Sequence, residues 1–294
     1  MREIVFLYQQ ESELGEFFSL TMPMNMLVSN GVNVRKASMN ELHSIKDSIV
    51  YVVKHIHTDW ALILKNNNNL IYLDMVDLLA HVGDKQNDYI NYYLNQCYVD
   101  KIIVRQEFME EQLGKFGSYI PHHYDFRLNT LQHTPNDFTE TKISFPYTDP
   151  GGIYFHTTFP KLFDVISMSG KAHLEFEGVK EVHNQSMKNN FYFGLRKTNS
   201  LEYFFKPGTK TASAAAIGRN IIVNRDKALE DLLPSDYPYF FTKEADEEFI
   251  DFYKTKIKSP NIEEYTYGLE CMKLVKNKTN IDNQFNLYLN LFNN

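Results

Sequence analysis

The chain has 294 residues, of which 43% are hydrophobic and 23% are charged, and its formal net charge is −7. This length accommodates two α/β domains of ordinary size, and the composition is that of a folded globular protein, which excludes an intrinsically disordered chain. The negative net charge argues against non-specific binding of duplex nucleic acid, which needs a basic face, although it leaves room for a local basic cleft.

Cysteine usage and hydropathy exclude several further classes of protein. Cys97 and Cys271 are the only cysteines, and neither belongs to a C-x-x-C pair, so neither a zinc site nor a disulfide framework is indicated. The sequence opens on an apolar run without signal-peptide anatomy, and no apolar run approaches the roughly 18–20 residues of a membrane span. We therefore expect a cytoplasmic protein, with any membrane contact peripheral to the inner face.

The first half of the chain alternates short apolar runs with amphipathic stretches, which predicts a parallel α/β sheet. No G-x-G-x-x-G follows the first run, so this opening is not a dinucleotide-binding fingerprint. The predicted strands are 4–8, 32–34, 47–54, 70–74, 99–104 and 119–120, and the predicted helices are 17–31, 85–96 and 107–116.

Polar side chains follow two of these strands. His55 and His57 come after the strand 47–54, and a metal site there lacks a third ligand at any recognisable spacing. We expect one of the two histidines instead to contact a ligand, the alternative being a loop histidine of no consequence. Asp74 and Asp77 follow the strand 70–74 and could serve as a base, although Asp77 could equally cap a helix.

A polar stretch from 127 to 141 contains Pro135 and predicts a linker. We therefore expect an N-terminal domain over 1–135, a second domain over 136–260 and C-terminal helices over 261–294. In the second domain, the segments 142–147 and 172–176 are predicted strands, and 162–168 is a predicted helix. In the tail, the spacing of Leu269, Met272 and Val275 indicates one apolar helix face.

The stretch from 191 to 233 carries the clearest chemistry. The apolar run 191–195 ends on Arg196, and a polar loop leads to Lys206-Pro207-Gly208-Thr209-Lys210-Thr211. The small-residue run 212–217, Gly218 and the apolar run 221–223 follow. Pro207 and the Thr209 hydroxyl suit a helix start, and Gly218 suits a left-handed helix end. The stretch predicts strand, loop, helix and strand, which is one unit of a parallel sheet.

Three cations surround the predicted start of that helix. A helix N-terminus presents unpaired N–H groups and partial positive charge, so it suits a phosphate. Lys206 and Lys210 flank this turn, and Arg196 leaves the preceding strand at its carboxyl end, where open α/β sheets bind ligands. The arrangement suits a clamp for a diphosphate, and a solvated loop whose lysines only confer solubility is the alternative that the spacing leaves open.

The pattern K-P-x-x-K-x-x-x-A-x-A-x-G-x-x-I-I, followed by a short acidic helix, resembles the donor-nucleotide segment of bacterial GT-B glycosyltransferases. The segments 99–104 and 119–125 are similar to the last strand and the interdomain crossing of the same family. The resemblance implies two Rossmann-like domains facing across a cleft, with the C-terminal helices packing back toward the first domain. It also implies transfer of a sugar from a nucleotide-diphosphate sugar to a hydroxyl, without a cofactor.

The resemblance assigns roles to particular positions. Arg196 and Lys210 match the cations that hold the donor diphosphate. From the predicted helix start, we expect Lys206 and the backbone of residues 208–211, including Gly208, Thr209 and Thr211, to bind the same group. Glu230 matches the carboxylate that holds the ribose. Acid–base candidates on the acceptor side are Glu11, His57 and Asp77, and the candidate sugar or acceptor contacts are His55 and His123.

The chain also departs from the family pattern. The commonest retaining members carry two glutamates where this sequence has Phe205 and Ser213, so the stereochemistry stays open. No D-x-D triplet occurs, which weighs against the metal-dependent GT-A class. A nucleotide-sugar epimerase on the same scaffold and a non-catalytic binding module remain alternatives. Glycans and lipid-linked sugars are the expected acceptors, and the acidic net charge makes DNA the least favoured one.

Overall fold

The computed structural model describes most of the chain as two compact units. The first unit contains the described residues of 1–122 and 281–294, and the second contains those of 123–204 and 208–280. The residues described are 2–8, 17–75, 95, 98–131, 142–147, 155–167, 175–195, 208–243 and 245–293.

The first unit contains a parallel sheet in the order β2-β1-β3-β4-β5-β6. Its strands are β1 (Ile4–Tyr8), β2 (Val34–Ser38), β3 (Ile49–Val53), β4 (Leu70–Asp74), β5 (Lys101–Val104) and β6 (Gly117–Tyr119). Most of these are the apolar runs that the sequence indicates. The second strand, however, begins where the prediction 32–34 ends, and β6 begins two residues before the predicted strand 119–120. β1 and β3 are apolar and buried throughout because helices cover both faces of the sheet.

The second unit contains a parallel sheet in the order β10-β9-β7-β8. Its strands are β7 (Ile143–Tyr147), β8 (Phe163–Ser167), β9 (Phe191–Phe193) and β10 (Asn220–Ile222). The predicted helix over 162–168 is wrong, because Phe163–Ser167 pairs with β7 in parallel register. The β-branched Val165 and Ile166 favour that extended conformation.

Helices connect these strands. They are α1 (Met22–Ser29), α2 (Thr58–Asn66), α3 (Glu107–Leu113), α4 (Phe155–Thr158), α5 (Phe176–Ser186), α6 (Thr209–Ala216), α7 (Lys227–Glu230), α8 (Asp246–Phe252), α9 (Ile262–Thr279) and α10 (Ile281–Asn293). Short segments of 3₁₀- or π-helix lie at 17–21, 39–44, 114–116, 126–130, 160–162 and 253–257. No helix among the described residues is long and apolar enough to span a membrane.

Opposite faces of the first sheet pack against different helices. Val50 and Val52 share a core with side chains of α2 and α3. Tyr51 points the other way, where its ring lies 6.0 Å from Phe292 and 5.9 Å from Tyr288 of α10. The C-terminal helix therefore belongs to the core of the first unit.

The second core is rich in aromatic rings. Phe163 of β8 and Phe193 of β9 meet edge to face at 5.0 Å, and Phe155 stacks on Phe249 of α8 at 4.2 Å. On the predicted apolar face of α9, Met272 and Val275 are buried, and α6 packs against the same helix. The small-residue run that builds α6 lets the two helices approach closely.

Candidate functional site

Strand order points to the carboxyl ends of β7 and β9 as the ligand-binding edge of the second unit. In the order β10-β9-β7-β8, the two central strands are β7 and β9. The chain continues from β7 to the edge strand β8 on one side, and from β9 to the edge strand β10 on the other side. Open α/β sheets bind ligands outside the carboxyl ends of the strands at such a reversal. Both segments that leave these two strands, 148–154 and 196–207, lie outside the described residues, and α6 follows the second one.

The start of α6 lacks the hydroxyl cap that the sequence suggests. Gly208 occupies the capping position with φ −75°, and Thr209 is the first helical residue, so the predicted N-cap role of Thr209 is wrong. Glycine has no side-chain oxygen that could accept a hydrogen bond from the N–H groups of the first turn. These groups therefore rely on other acceptors, and an anion is one kind that suits them.

Lys210 lies at this edge of the sheet. Its Nζ is 4.9 Å from the centre of the Phe145 ring, which belongs to β7. The ring face attracts the ammonium group and holds it beside the strand from which the topology reverses. Sequence analysis did not identify Phe145, because it is one of many aromatic residues in apolar runs.

The structure describes two of the other residues that were predicted to bind the donor, Thr211 and Glu230. Thr211 is 1% exposed, so its hydroxyl faces the interior and only its backbone suits a ligand. Glu230 is the last residue of the four-residue helix α7, and its Oε2 lies 3.3 Å from Lys227 Nζ. Arg196 and Lys206 lie outside the described residues.

Close packing holds α7 against the start of α6. A Cβ added to Gly208 would lie 2.7 Å from Leu232 Cδ1 and 3.3 Å from Leu229 Cδ2. Asp226 caps α7, where its Oδ1 accepts a hydrogen bond from Leu229 N at 3.0 Å. Gly208 therefore brings the helix that carries Glu230 next to the turn that carries Lys210.

The far end of α6 has the predicted geometry. Gly218 has φ +68°, which confirms the left-handed residue expected after the helix. Its N–H donates to Ala215 O at 3.1 Å, and Arg219 N donates to Ala214 O at 2.9 Å. Lys276 of α9 donates to Ala216 O at 3.2 Å, which adds a cation at the negative end of the helix.

In the first unit, the predicted histidines follow β3. His55 and His57 are both exposed. His57 caps α2, where its Nδ1 accepts a hydrogen bond from Asp59 N at 3.4 Å, and it also lies 3.6 Å from Asp59 Oδ2. The structure thus gives His57 a helix-capping contact.

His123 belongs to the second unit and is buried, with 2% of its surface exposed. Its ring stacks on Phe126 with centroids 4.6 Å apart, and its Nδ1 donates to Tyr124 O at 2.8 Å. These contacts fix the orientation of the imidazole. The other predicted acid–base residues, Glu11 and Asp77, lie outside the described residues.

Asp74 has a structural role that conflicts with its use as a base. Its Oδ2 accepts hydrogen bonds from Tyr51 at 2.5 Å and from the Arg105 guanidinium, and all three side chains are buried. Tyr51 also lies 3.2 Å from Tyr288 of α10. Burial, together with the negative charge of Asp74, raises the pKa of Tyr51 well above its usual value. The group therefore acts as a buried ion pair that links β4 to α10 through Tyr51.

Comparison with known proteins gives matches at the level of structure. No family model matches the chain, and no curated protein is significantly similar to it. HepE of Anabaena in complex with UDP has a TM-score of 0.68, with 10% identity over 99% of both chains. An alpha-glucosyltransferase in complex with UDP-glucose and DNA containing an abasic site has a TM-score of 0.64, with 12% identity over 100% of both. "Trehalose-6-phosphate from E. coli", bound with UDP-2-fluoro glucose, has a TM-score of 0.60, with 8% identity over 99% and 98%.

These similarities extend over the whole length of this chain and of each neighbour. Because the sequence identity is only 8–12%, these similarities establish the fold alone. The chain has the GT-B fold. The fold class predicted from the sequence, with two Rossmann-like parallel sheets, is thereby confirmed.

Proposed function

We propose that this protein is a glycosyltransferase that moves a sugar from a uridine diphosphate sugar to an acceptor hydroxyl. The observation that carries the proposal is the position of Lys210, on the first turn of α6 and over the Phe145 ring of β7. A cation and a helix N-terminus then meet at the edge where the sheet topology favours a ligand. The three neighbouring structures with UDP or a UDP-sugar support the choice of donor.

In the proposed reaction, the acceptor oxygen attacks the anomeric carbon while the bond to the diphosphate breaks. The transition state is oxocarbenium-like, and negative charge develops on the leaving diphosphate. Lys210 and the first-turn N–H groups of α6, with Arg196 and Lys206, would stabilise that charge. Glu230 would hold the ribose hydroxyls. We propose that no metal ion is needed, since these groups supply the positive charge.

A side chain is also needed to take up the proton of the acceptor hydroxyl. We propose Glu11, His57 and Asp77 as candidates for this base, and His55 and His123 as contacts of the sugar or the acceptor. A glycan or a lipid-linked sugar is the acceptor that we favour. DNA is present in one neighbouring structure, but the net charge of −7 makes it the less favoured acceptor for this chain.

Binding of nucleotides to Lys210→Ala and to the wild-type protein tests the donor site. Calorimetric titration with UDP, ADP and GDP should give binding of UDP that the substitution weakens about 10- to 100-fold, as expected for loss of a charged hydrogen bond worth about 1.5–3 kcal/mol. Lys180→Ala is the matched control, because Lys180 lies on α5 and pairs with Glu177 at 3.6 Å. Unchanged UDP affinity in Lys210→Ala would refute the clamp.

A second measurement separates transfer from the alternative chemistry. Wild-type protein incubated with UDP-glucose and a mixture of hydroxyl acceptors should release UDP together with a glycosylated product. Conversion of UDP-glucose to an epimer without an acceptor would favour the epimerase. UDP binding without any turnover would favour a binding module.

A further inference from the structure

Trp60 is the only tryptophan of the chain, and it lies at the carboxyl edge of the first sheet. In the order β2-β1-β3-β4-β5-β6, the chain passes from β1 to the edge strand β2 on one side, while β3 lies on the other side of β1. Open α/β sheets bind ligands outside the carboxyl ends of the strands at such a reversal. Because α2 begins at Thr58, shortly after β3 ends at Val53, its first turn places Trp60 at this edge.

The core of the first unit holds the indole ring in place. Trp60 is partly buried and packs against the core that the sheet shares with α2. Met39, which follows β2, and Met75, which follows β4, are partly buried against the same core. Part of the indole is therefore fixed by packing and part remains accessible to solvent. A ring that is already fixed loses little conformational freedom when a ligand binds to it.

The His57 imidazole adds a second ring beside the indole. The two ring centroids are 5.6 Å apart, and the ring planes are inclined by 52°, so the rings form an angled aromatic surface. The His57 side chain is 63% exposed, and its Nδ1 accepts a hydrogen bond from Asp59 N at 3.4 Å. In the neutral imidazole, Nε2 then carries the proton and can donate to a ligand. The Asp59 carboxylate, on a side chain that is 77% exposed, can accept.

This combination of groups matches the chemistry of a sugar ring. A pyranose has faces of C–H groups, which suit an indole, and hydroxyl groups around its rim, which suit a donor and a carboxylate. Ligand sites in general combine aromatic side chains with a few polar groups in this way.

We propose that Trp60, together with His57 and Asp59, binds a pyranose ring of the acceptor. This inference rests on the proposed function and adds a substrate class to it, since the acceptor is then a glycan with a cyclic sugar at this position. The indole contributes contact with the ring face, so the site distinguishes cyclic sugars from open-chain polyols.

Fluorescence tests the site directly in the full-length protein, because all tryptophan emission comes from Trp60. Cellobiose and maltose are the probes with pyranose rings, and mannitol is the control that has hydroxyl groups but no ring. At least one of the two disaccharides should change the emission in a saturable way, and mannitol should leave it unchanged.

Two variants that keep Trp60 show whether the neighbouring ring takes part. His57→Ser retains a side-chain oxygen that can cap α2 but removes the imidazole. It should weaken disaccharide binding about 3- to 10-fold. Tyr267→Leu is the matched control, because it removes an exposed aromatic ring from α9 in the second unit, and its disaccharide affinity should equal that of the wild type.

Two variants at Trp60 separate ring stacking from packing of the core. Both phenylalanine and leucine can fill the buried part of the site, but only phenylalanine has an aromatic face. Calorimetry should show that Trp60→Phe binds the disaccharide about 3- to 10-fold more tightly than Trp60→Leu does. The proposal is overturned if neither disaccharide changes the wild-type emission, if mannitol changes it equally, or if Trp60→Leu binds as tightly as Trp60→Phe.

UDP binding by the same wild-type preparation separates this inference from the donor proposal. A protein that binds a disaccharide but no UDP would overturn the donor site and leave the sugar site at Trp60 standing. A protein that binds UDP but neither disaccharide would overturn the sugar site alone.

Discussion

The contact between Gly208 and α7 makes the substitution Gly208→Ala informative. The φ of −75° is accessible to any residue, so alanine would introduce no backbone strain. Its Cβ would lie 2.7 Å from Leu232 Cδ1, which is closer than the two carbons can pack. Leu232 is buried, so either its side chain or α7 has to move.

The expected magnitude follows from two opposing effects. Overpacking a buried site costs about 1–3 kcal/mol, and replacing glycine with alanine returns about 0.4–1 kcal/mol through the unfolded state. We therefore expect Gly208→Ala to lower the free energy of unfolding by about 1–2 kcal/mol. Because α7 carries Glu230, we also expect weaker binding of UDP.

A double-mutant cycle with Leu232→Val tests the steric explanation. Leu232→Val removes one buried methylene group and should cost about 1 kcal/mol by itself. It also makes room for the new Cβ, so the double variant should be more stable than the sum of the single effects by about 1 kcal/mol. Urea unfolding followed by circular dichroism measures each variant.

Gly31→Ala is the control for that cycle. Gly31 has φ +78° and nothing within 4 Å of an added Cβ, so alanine there should cost about 1–2 kcal/mol through backbone strain alone. Its effect should be additive with Leu232→Val. Additive energies for Gly208→Ala and Leu232→Val would refute the close approach of Gly208 to Leu232, which lies two residues after the end of α7.

Two further predictions concern histidines. His57→Ala should lower the free energy of unfolding by about 1 kcal/mol, because it removes the N-cap of α2. His57→Ser should restore the cap and the lost stability. If His57 is also the base, both variants should lower kcat by about 10²–10⁴-fold, and a fully active His57→Ser would exclude that role. Burial lowers the pKa of His183 to about 4, although the charge of Asp125 acts in the opposite direction. As the pH falls, this histidine is therefore protonated in the unfolded chain at a higher pH than in the folded chain. The free energy of unfolding should then fall by up to about 3 kcal/mol between about pH 6.5 and pH 4. Chemical denaturation across this pH range should show that the free energy of unfolding falls less in His183→Gln than in the wild type. An equal fall in both proteins would contradict the explanation.

Local patterns in the sequence predict much of this fold. The apolar runs at Ile4–Tyr8 and Ile49–Val53 are central strands, because strands covered on both faces need apolar residues throughout. α6 ends at Gly218 with the expected left-handed conformation, since glycine adopts that conformation without a steric penalty. Such features depend on a few neighbouring residues, which is why they can be predicted without knowledge of the tertiary structure.

Features that depend on distant partners could not be predicted in this way. β8 is a strand because it pairs with β7, and nothing within 162–168 specifies that partner. Tyr51 and Tyr288 meet although 237 residues separate them, and the same group engages Asp74, which the sequence offered as a base. At the candidate site, the cation Lys210 is visible in the sequence, but the Phe145 ring that holds it lies in another strand.

Three glycines set the spacing between the elements around β10 and α6. They show that the candidate site depends on close packing as well as on the residues of the sequence motif. A Cβ on Gly194 would lie 2.8 Å from Ile221 Cδ1, and one on Gly268 would lie 2.5 Å from Asn220 Oδ1. These contacts bring the end of β9 and the helix α9 directly onto β10, as Gly208 brings α6 onto α7. In the proposed donor site the cations would supply charge for a diphosphate, and these close approaches would determine where that charge is held. Substitutions at the glycines should therefore impair donor binding without removing any group that contacts the donor.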